Sequence, residues 1–232
     1  MDSFLRFPLE YIPFILLVAI IAFTIHEYSH AYLADKFGDP GPRQMGRVTL
    51  NPIVHIDIFG LVLLVIAGIG WAKPVLVSAG RFKKPRWHGT IVAAAGPFSH
   101  LILAFLGAFL INLFNHFDWL NAMSLGGARA IVIFLFYFLS FNLVLFLLNI
   151  IPLPPLDGYL IIRYWMPYRF AAKMQKYEQW APYVFLLLVF IPPLRHVTID
   201  PLFNLQWYIL DFYNIPLRWI FGYALDWRQM LM

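Results

Sequence analysis

Long apolar runs separated by short polar stretches set the pattern of this chain. Six runs can be traced, over residues 9–34, 58–69, 90–115, 129–151, 183–194 and 203–225. The first carries no charge from Ile12 to Ile25. As a helix it is long enough to cross a bilayer's hydrocarbon core, which takes about 20 residues. The runs at 90–115 and 129–151 have similar length. The run at 58–69 is too short for a full crossing, and Gly60 and Gly68 interrupt it, so it predicts a re-entrant element. The run at 183–194 is also short and stops at Pro192-Pro193. The last run contains Asp211, Pro216 and Arg218. The pattern leaves open whether it spans or lies in the interface.

The polar stretches between the runs have their own signals. Residues 35–46 are rich in Gly and Pro and read as a loop. Val48 to Pro52 predicts a short extended piece that breaks at the proline. Residues 71–88 form a basic loop with Lys73, Arg81, Lys83, Lys84 and Arg86. Pro152, Pro154 and Pro155 must interrupt any helix after residue 151. A basic amphipathic stretch follows from Arg163 to Lys176. The expected fold class is an all-α polytopic membrane protein with a short extended or re-entrant element after the first helix. Residues 1–232 form one integral-membrane domain, with a core at 9–162 and C-terminal apolar segments at 179–226.

Composition narrows the function. Of 232 residues, 61% are hydrophobic and 12% charged, and the mean hydropathy is +0.71. These values lie far outside the soluble range. The formal charge of +5 would suggest nucleic acid in a soluble chain. Here the basic residues sit between apolar runs, which fits cytoplasmic loops facing anionic lipid. There is no Cys, so disulfides are excluded and any metal must be held by His and carboxylates. The first run is too long for a signal-peptide core and is expected to be retained.

That run ends in His26-Glu27-Tyr28-Ser29-His30. Residues four apart share a helix face, so His26 and His30 can hold one metal ion, with Glu27 beside them. This is the H-E-x-x-H pattern of zinc peptidases. Ionisable residues inside a membrane segment are costly and point to function. A catalytic zinc needs a third protein ligand. Candidates are His55, Asp57, His100, His116, Asp157, His196 and Asp211. Asp157 stands out, because it follows the proline-broken end of an apolar run and precedes Gly158.

His26-Glu27-x-x-His30 together with Asn149-x-x-Pro152-x-x-x-x-Asp157-Gly158 resembles the site-2 protease family of intramembrane zinc metalloproteases. It is closest to the short bacterial branch that lacks a PDZ domain. Gly46-Arg47 with Leu50-Asn51-Pro52, His55 and Asp57 supports this, as do Gly70-Trp71-Ala72-Lys73-Pro74 and Ala95-Gly96-Pro97. The resemblance covers residues 22 to about 162. It implies that His26, His30 and Asp157 bind one Zn2+ per chain and that Glu27 is the catalytic carboxylate. It also implies that Asn149 lies near the active site and can position substrate. His100 departs from the pattern, which has Asn at this place, and is expected to replace a hydrogen bond rather than bind metal. His55 is expected to support the site from outside the ligand set.

The implied activity is peptide-bond hydrolysis in or near transmembrane segments, as in regulated intramembrane proteolysis. The partners are a transmembrane protein or peptide substrate and the lipid bilayer, with no nucleic acid. The sequence does not decide the oligomeric state. Alternatives are a non-proteolytic membrane protein with a protease-like fold, or a metal- or ion-coupled transporter. A transporter would call for more spans or an internal repeat, and the chain has neither.

Depth gives a further expectation. His26 lies late in its run and Asp157 lies beyond the end of the fourth, so the two runs must be parallel. That holds if residues 53–70 do not cross. The same arrangement leaves only Arg6, Arg129 and Arg195 opposite the main group of basic residues. The positive-inside rule then places the N-terminus outside and the active site towards the cytoplasmic side, in a bacterial plasma membrane.

Overall fold

The structure is a computed structural model that describes residues 6–231. The described residues are mostly helical, and each of the six apolar runs lies largely in helix. In chain order they are α1 (Ile12–Lys36), α2 (Gly41–Gln44), α3 (Ile58–Ala67), α4 (Pro85–His116), α5 (Leu125–Asn149) and α6 (Asp157–Arg163). Then follow α7 (Tyr168–Glu178), α8 (Ala181–Phe190), α9 (Pro192–Phe203), α10 (Leu205–Phe221) and α11 (Trp227–Leu231).

Among the described residues, three helices are long and apolar enough to cross a membrane: α1 with the turn before it, α4 and α5. A fourth crossing is possible if α8 and the α9–α10 rod count as one span bent by 94°. The chain is thus an integral membrane protein. Segments five and six are joined through that bend at Ile191, where proline at the start of α9 ends the α8 hydrogen-bond ladder. α3 has ten residues, about half of what a crossing takes. One side of it is bare, with Ile58, Phe59 and Val62 exposed, while Leu64 packs inward.

α1, α4 and α5 form the body of the fold. The contacts fix their directions. His30 meets Val92, and Val18 packs with Leu103, so α4 runs against α1. His100 meets Asn142, and Gly107 lies against Phe138 and Leu139, so α5 runs against α4. α1 and α5 are therefore parallel, and both bring their C-terminal ends to one side. Lipid gives no hydrophobic drive for helices to pair, so close packing of small residues matters most. Ala104, Gly107 and Ala108 of α4 supply it. Against them pack Leu139 and Leu143 of α5, and Leu210 and Leu217 of α10. α10 thereby belongs to the bundle along one of its faces.

The link from α1 to α4 is not a ladder of strands. The Val48–Pro52 piece turns at Pro52 into a single 3-10 turn, because the Asn51 carboxamide accepts the Ile53 N–H. Pairing occurs later, as one antiparallel bridge between Ile56 and Ala72, reinforced by the Lys73 N–H to the His55 carbonyl at 2.8 Å. α3 is the excursion between these arms. A second clamp sits at Asp39, which is 1% exposed. It accepts from the N–H groups of Ser78 and Gly41 and from Arg81. Burial pushes its carboxyl upward, but these donors outweigh that and hold it below the usual carboxylate range. The arm after α3 is thus fastened to the end of α1.

Candidate active site

The H-E-x-x-H turn occupies the last third of α1, and the broken stretch after α5 returns Asp157 to it. His26 Nε2 and His30 Nε2 are 3.1 Å apart. Each lies 3.3 Å from Asp157 Oδ2. These three atoms form a nearly equilateral triangle. One face of a tetrahedral zinc site with ligands at 2.0–2.1 Å has edges of about 3.3 Å. The donors therefore fit one small divalent cation, with a fourth position left open. Asp157 Oδ2 and His26 Nδ1 are buried without a hydrogen-bond partner, so a cation would answer one of two orphaned atoms. Among the described residues, this is the one cluster of His and carboxylate side chains with such spacing.

The surroundings orient these side chains. His30 Nδ1–H donates to the Val92 carbonyl at 2.7 Å, which leaves Nε2 unprotonated and facing the cluster. Gly96 makes the close approach of α4 possible. A Cβ there would run into the rings of His26 and His30. Gly158 plays the matching part at the start of α6, where a Cβ would meet the Ile150 and Ile151 carbonyls. Gly96→Ala is expected to lower zinc affinity by about 10–100-fold, the usual cost of disturbing the support of metal ligands. Titration with a competing zinc chelator measures it.

Glu27 points to the arm that follows α3. Its Oε2 accepts the Val75 N–H at 2.8 Å and lies 3.9 Å from Arg47 Nη2. His26, Glu27, His30, Asp157 and Asn149 all line one cavity of about 1240 Å³. Its walls run from α3 and the Trp71–Val77 arm to Phe190 and Ile199 on the α8–α9 corner.

The other candidates fall outside the triangle. His100 stacks on His26 at 4.8 Å, but its Nδ1–H donates to Asn142 Oδ1 at 2.9 Å. Asn142 is in turn held by the Phe138 carbonyl. Asn149 faces the cavity while its amide donates to the Leu145 carbonyl. His55 is fully buried and donates from Nε2 to the Thr49 carbonyl, bracing the loop before α3. Asp57 caps α3 through the Gly60 N–H. His196 pairs with Asp200, and His116 stacks near Phe221 and Tyr223. The sequence reading did not single out Arg47 or Asn142 as individual residues. Both had a signal: Asn142 is an amide in the middle of an apolar run, and Arg47 is the last basic residue before the short run at 58–69.

A family profile described as Peptidase family M50 matches residues 13–192. The chain belongs to peptidase family M50. This is the site-2 protease family that the motifs resemble. The M50 chain is 46% identical over 206 residues to "Putative zinc metalloprotease YwhC" of Bacillus subtilis, covering 88% of this chain and 92% of that protein. It is 30% identical over 218 residues to "Putative zinc metalloprotease Rip2" of Mycolicibacterium smegmatis, covering 90% and 78%. A protein with the same description from Mycobacterium tuberculosis is 31% identical over 188 residues, covering 78% and 68%. No solved structure matches the chain at a significant level. The matched stretch, from residue 13 to 192, contains His26, Glu27, His30 and Asp157.

Proposed function

We propose that this M50 chain is an intramembrane zinc endopeptidase that hydrolyses peptide bonds in or near transmembrane segments of other membrane proteins. The observation that carries this reading is the His26–His30–Asp157 triangle, with Glu27 beside it, at the wall of a groove among the apolar helices. The names of the relatives support zinc as the ion. His26 Nε2, His30 Nε2 and Asp157 Oδ2 would hold it. Bound zinc supplies Lewis acidity towards water and a carbonyl oxygen.

The chain's own groups do the rest. Glu27 keeps one carboxylate oxygen on the Val75 N–H and offers the other as general base. It takes a proton from the attacking water as the new C–O bond forms. It returns that proton to the amide nitrogen as the C–N bond breaks. The groove admits a locally unwound substrate segment, whose carbonyls are no longer held in their own helix. α3 then acts as a re-entrant element rather than a span. With that course, the basic loops share the side on which α1 and α5 end. The reading therefore places the active site towards the cytoplasmic face of a bacterial plasma membrane, with the N-terminus outside.

Purified protein in vesicles tests the metal claim. The probe is a single-span reporter whose apolar segment carries a central Gly-Pro break. One zinc per chain and cleavage of this reporter are expected. A strong chelator should remove both, and added Zn2+ should restore both. Cleavage that continues in zinc-free protein would reject the proposal.

A further inference from the structure

Arg47 is 6% exposed, in the loop between α2 and α3 of a membrane protein. A buried guanidinium is costly unless it is paired and hydrogen-bonded. Its fork is divided among three parts of the fold. Nη1 donates to the Val54 carbonyl, on the arm before α3. Nη2 donates to the Lys73 carbonyl, on the arm after α3. The carboxylate facing it is Glu27, whose Oε2 lies 3.9 Å from Nη2. No other ion pair reaches Glu27 among the described residues. The two carbonyls fix the plane of the guanidinium before it faces the carboxylate. Only arginine has the rigid, planar donor set for that; lysine is a single point charge and can serve fewer of these partners.

Glu27 Oε2 thus meets a hydrogen-bond donor on one side and the Arg47 charge, 3.9 Å away, on another. Val75 N–H binds Oε2 at 2.8 Å, and Arg47 approaches the same oxygen. Val75 lies on the arm after α3 and Arg47 on the loop before it, whereas the metal ligands belong to α1 and the start of α6. The structure thus separates holding the ion from aiming the base. We infer that Arg47 is a positioning residue that locks Glu27 Oε2 against the α3 arms, so that its other oxygen stays directed at the His26–His30–Asp157 centre. This rests on the reading of Glu27 as general base.

The test uses full-length protein in vesicles, the Gly-Pro reporter, and the variants Arg47→Met, Arg47→Lys and Glu27→Gln. Zinc content, thermal stability, kcat and KM are measured for each. Arg47→Met is expected to keep one zinc and a near-normal KM, while kcat falls about 10–100-fold, as a misaimed catalytic group costs. Arg47→Lys keeps the charge without the fork and should recover part of kcat. If Arg47→Met does not fold, Arg47→Lys carries the test, with an intermediate loss of kcat at full zinc. The inference is overturned if folded, zinc-loaded variants have wild-type kcat. It is also overturned if only KM rises, which would place Arg47 on the substrate. Activity in Glu27→Gln would defeat the general-base reading itself. An inactive Glu27→Gln beside fully active Arg47 variants would defeat only the present inference.

Discussion

Glu27→Gln is expected to lower the cleavage rate by about 10³-fold while the protein keeps its zinc. The substitution replaces one carboxylate oxygen by NH2 and leaves the size of the side chain unchanged. The amide oxygen can still accept the Val75 N–H that now reaches Oε2. The fold around the α3 arms should therefore survive. What is lost is the ability to take up a proton, and general-base catalysis is worth about 10²–10⁴-fold. The ligand atoms of His26, His30 and Asp157 are untouched, so metal content should stay at one per chain. The measurement is paired: zinc by elemental analysis and initial cleavage rates on the same preparation. A Glu27→Gln protein without zinc would mean that Glu27 supports the ligands instead.

Asp157→Asn should do the opposite and take the metal away. Asp157 Oδ2 closes the triangle at 3.3 Å from both histidines. An amide oxygen carries no charge to balance the cation. Loss of a direct ligand should cost more than the 10–100-fold seen when only its supporting groups are changed. Cleavage should fall with the metal and recover in part at high Zn2+. Asp57→Asn provides the contrast. Asp57 caps α3 and touches none of the three donors, so zinc affinity should remain at the wild-type value. Equal zinc loss in both variants would show that the carboxylate at Asp157 acts on the fold alone.

Much of this site could be read in the chain because membrane burial makes polar residues informative. His26 and His30 share a helix face by spacing alone. Asp157 was marked by prolines that no continuous helix could absorb, and the structure brings it to the two histidines. The parallel course of α1 and α5 also followed from depth, since both donor groups sit late in their segments.

The missed parts depend on contacts between distant elements. Arg47 reaches Lys73 and Glu27 across 26 and 20 residues, and nothing local in its loop announces that. Gly96 looked like generic small-residue packing, but its particular duty is to let α4 lie against two imidazoles. The extended Val48–Pro52 piece does break at the proline, but among the described residues it pairs with no neighbouring strand. Asn51 captured the Ile53 N–H and closed a turn instead. The bend between α8 and α9 was signalled by Pro192-Pro193, but nothing local announces its 94° angle or the contact of α9 with α5.

The central claim is that the His26–His30–Asp157 centre and Glu27 cut a peptide bond within a membrane segment. Mass-spectrometric mapping of the reporter products tests it most directly, with Glu27→Gln as the blank. The account predicts a cut inside the apolar segment of the reporter by wild-type protein and none by the variant. An uncut reporter with zinc-loaded wild type, or the same cut by both proteins, would contradict it.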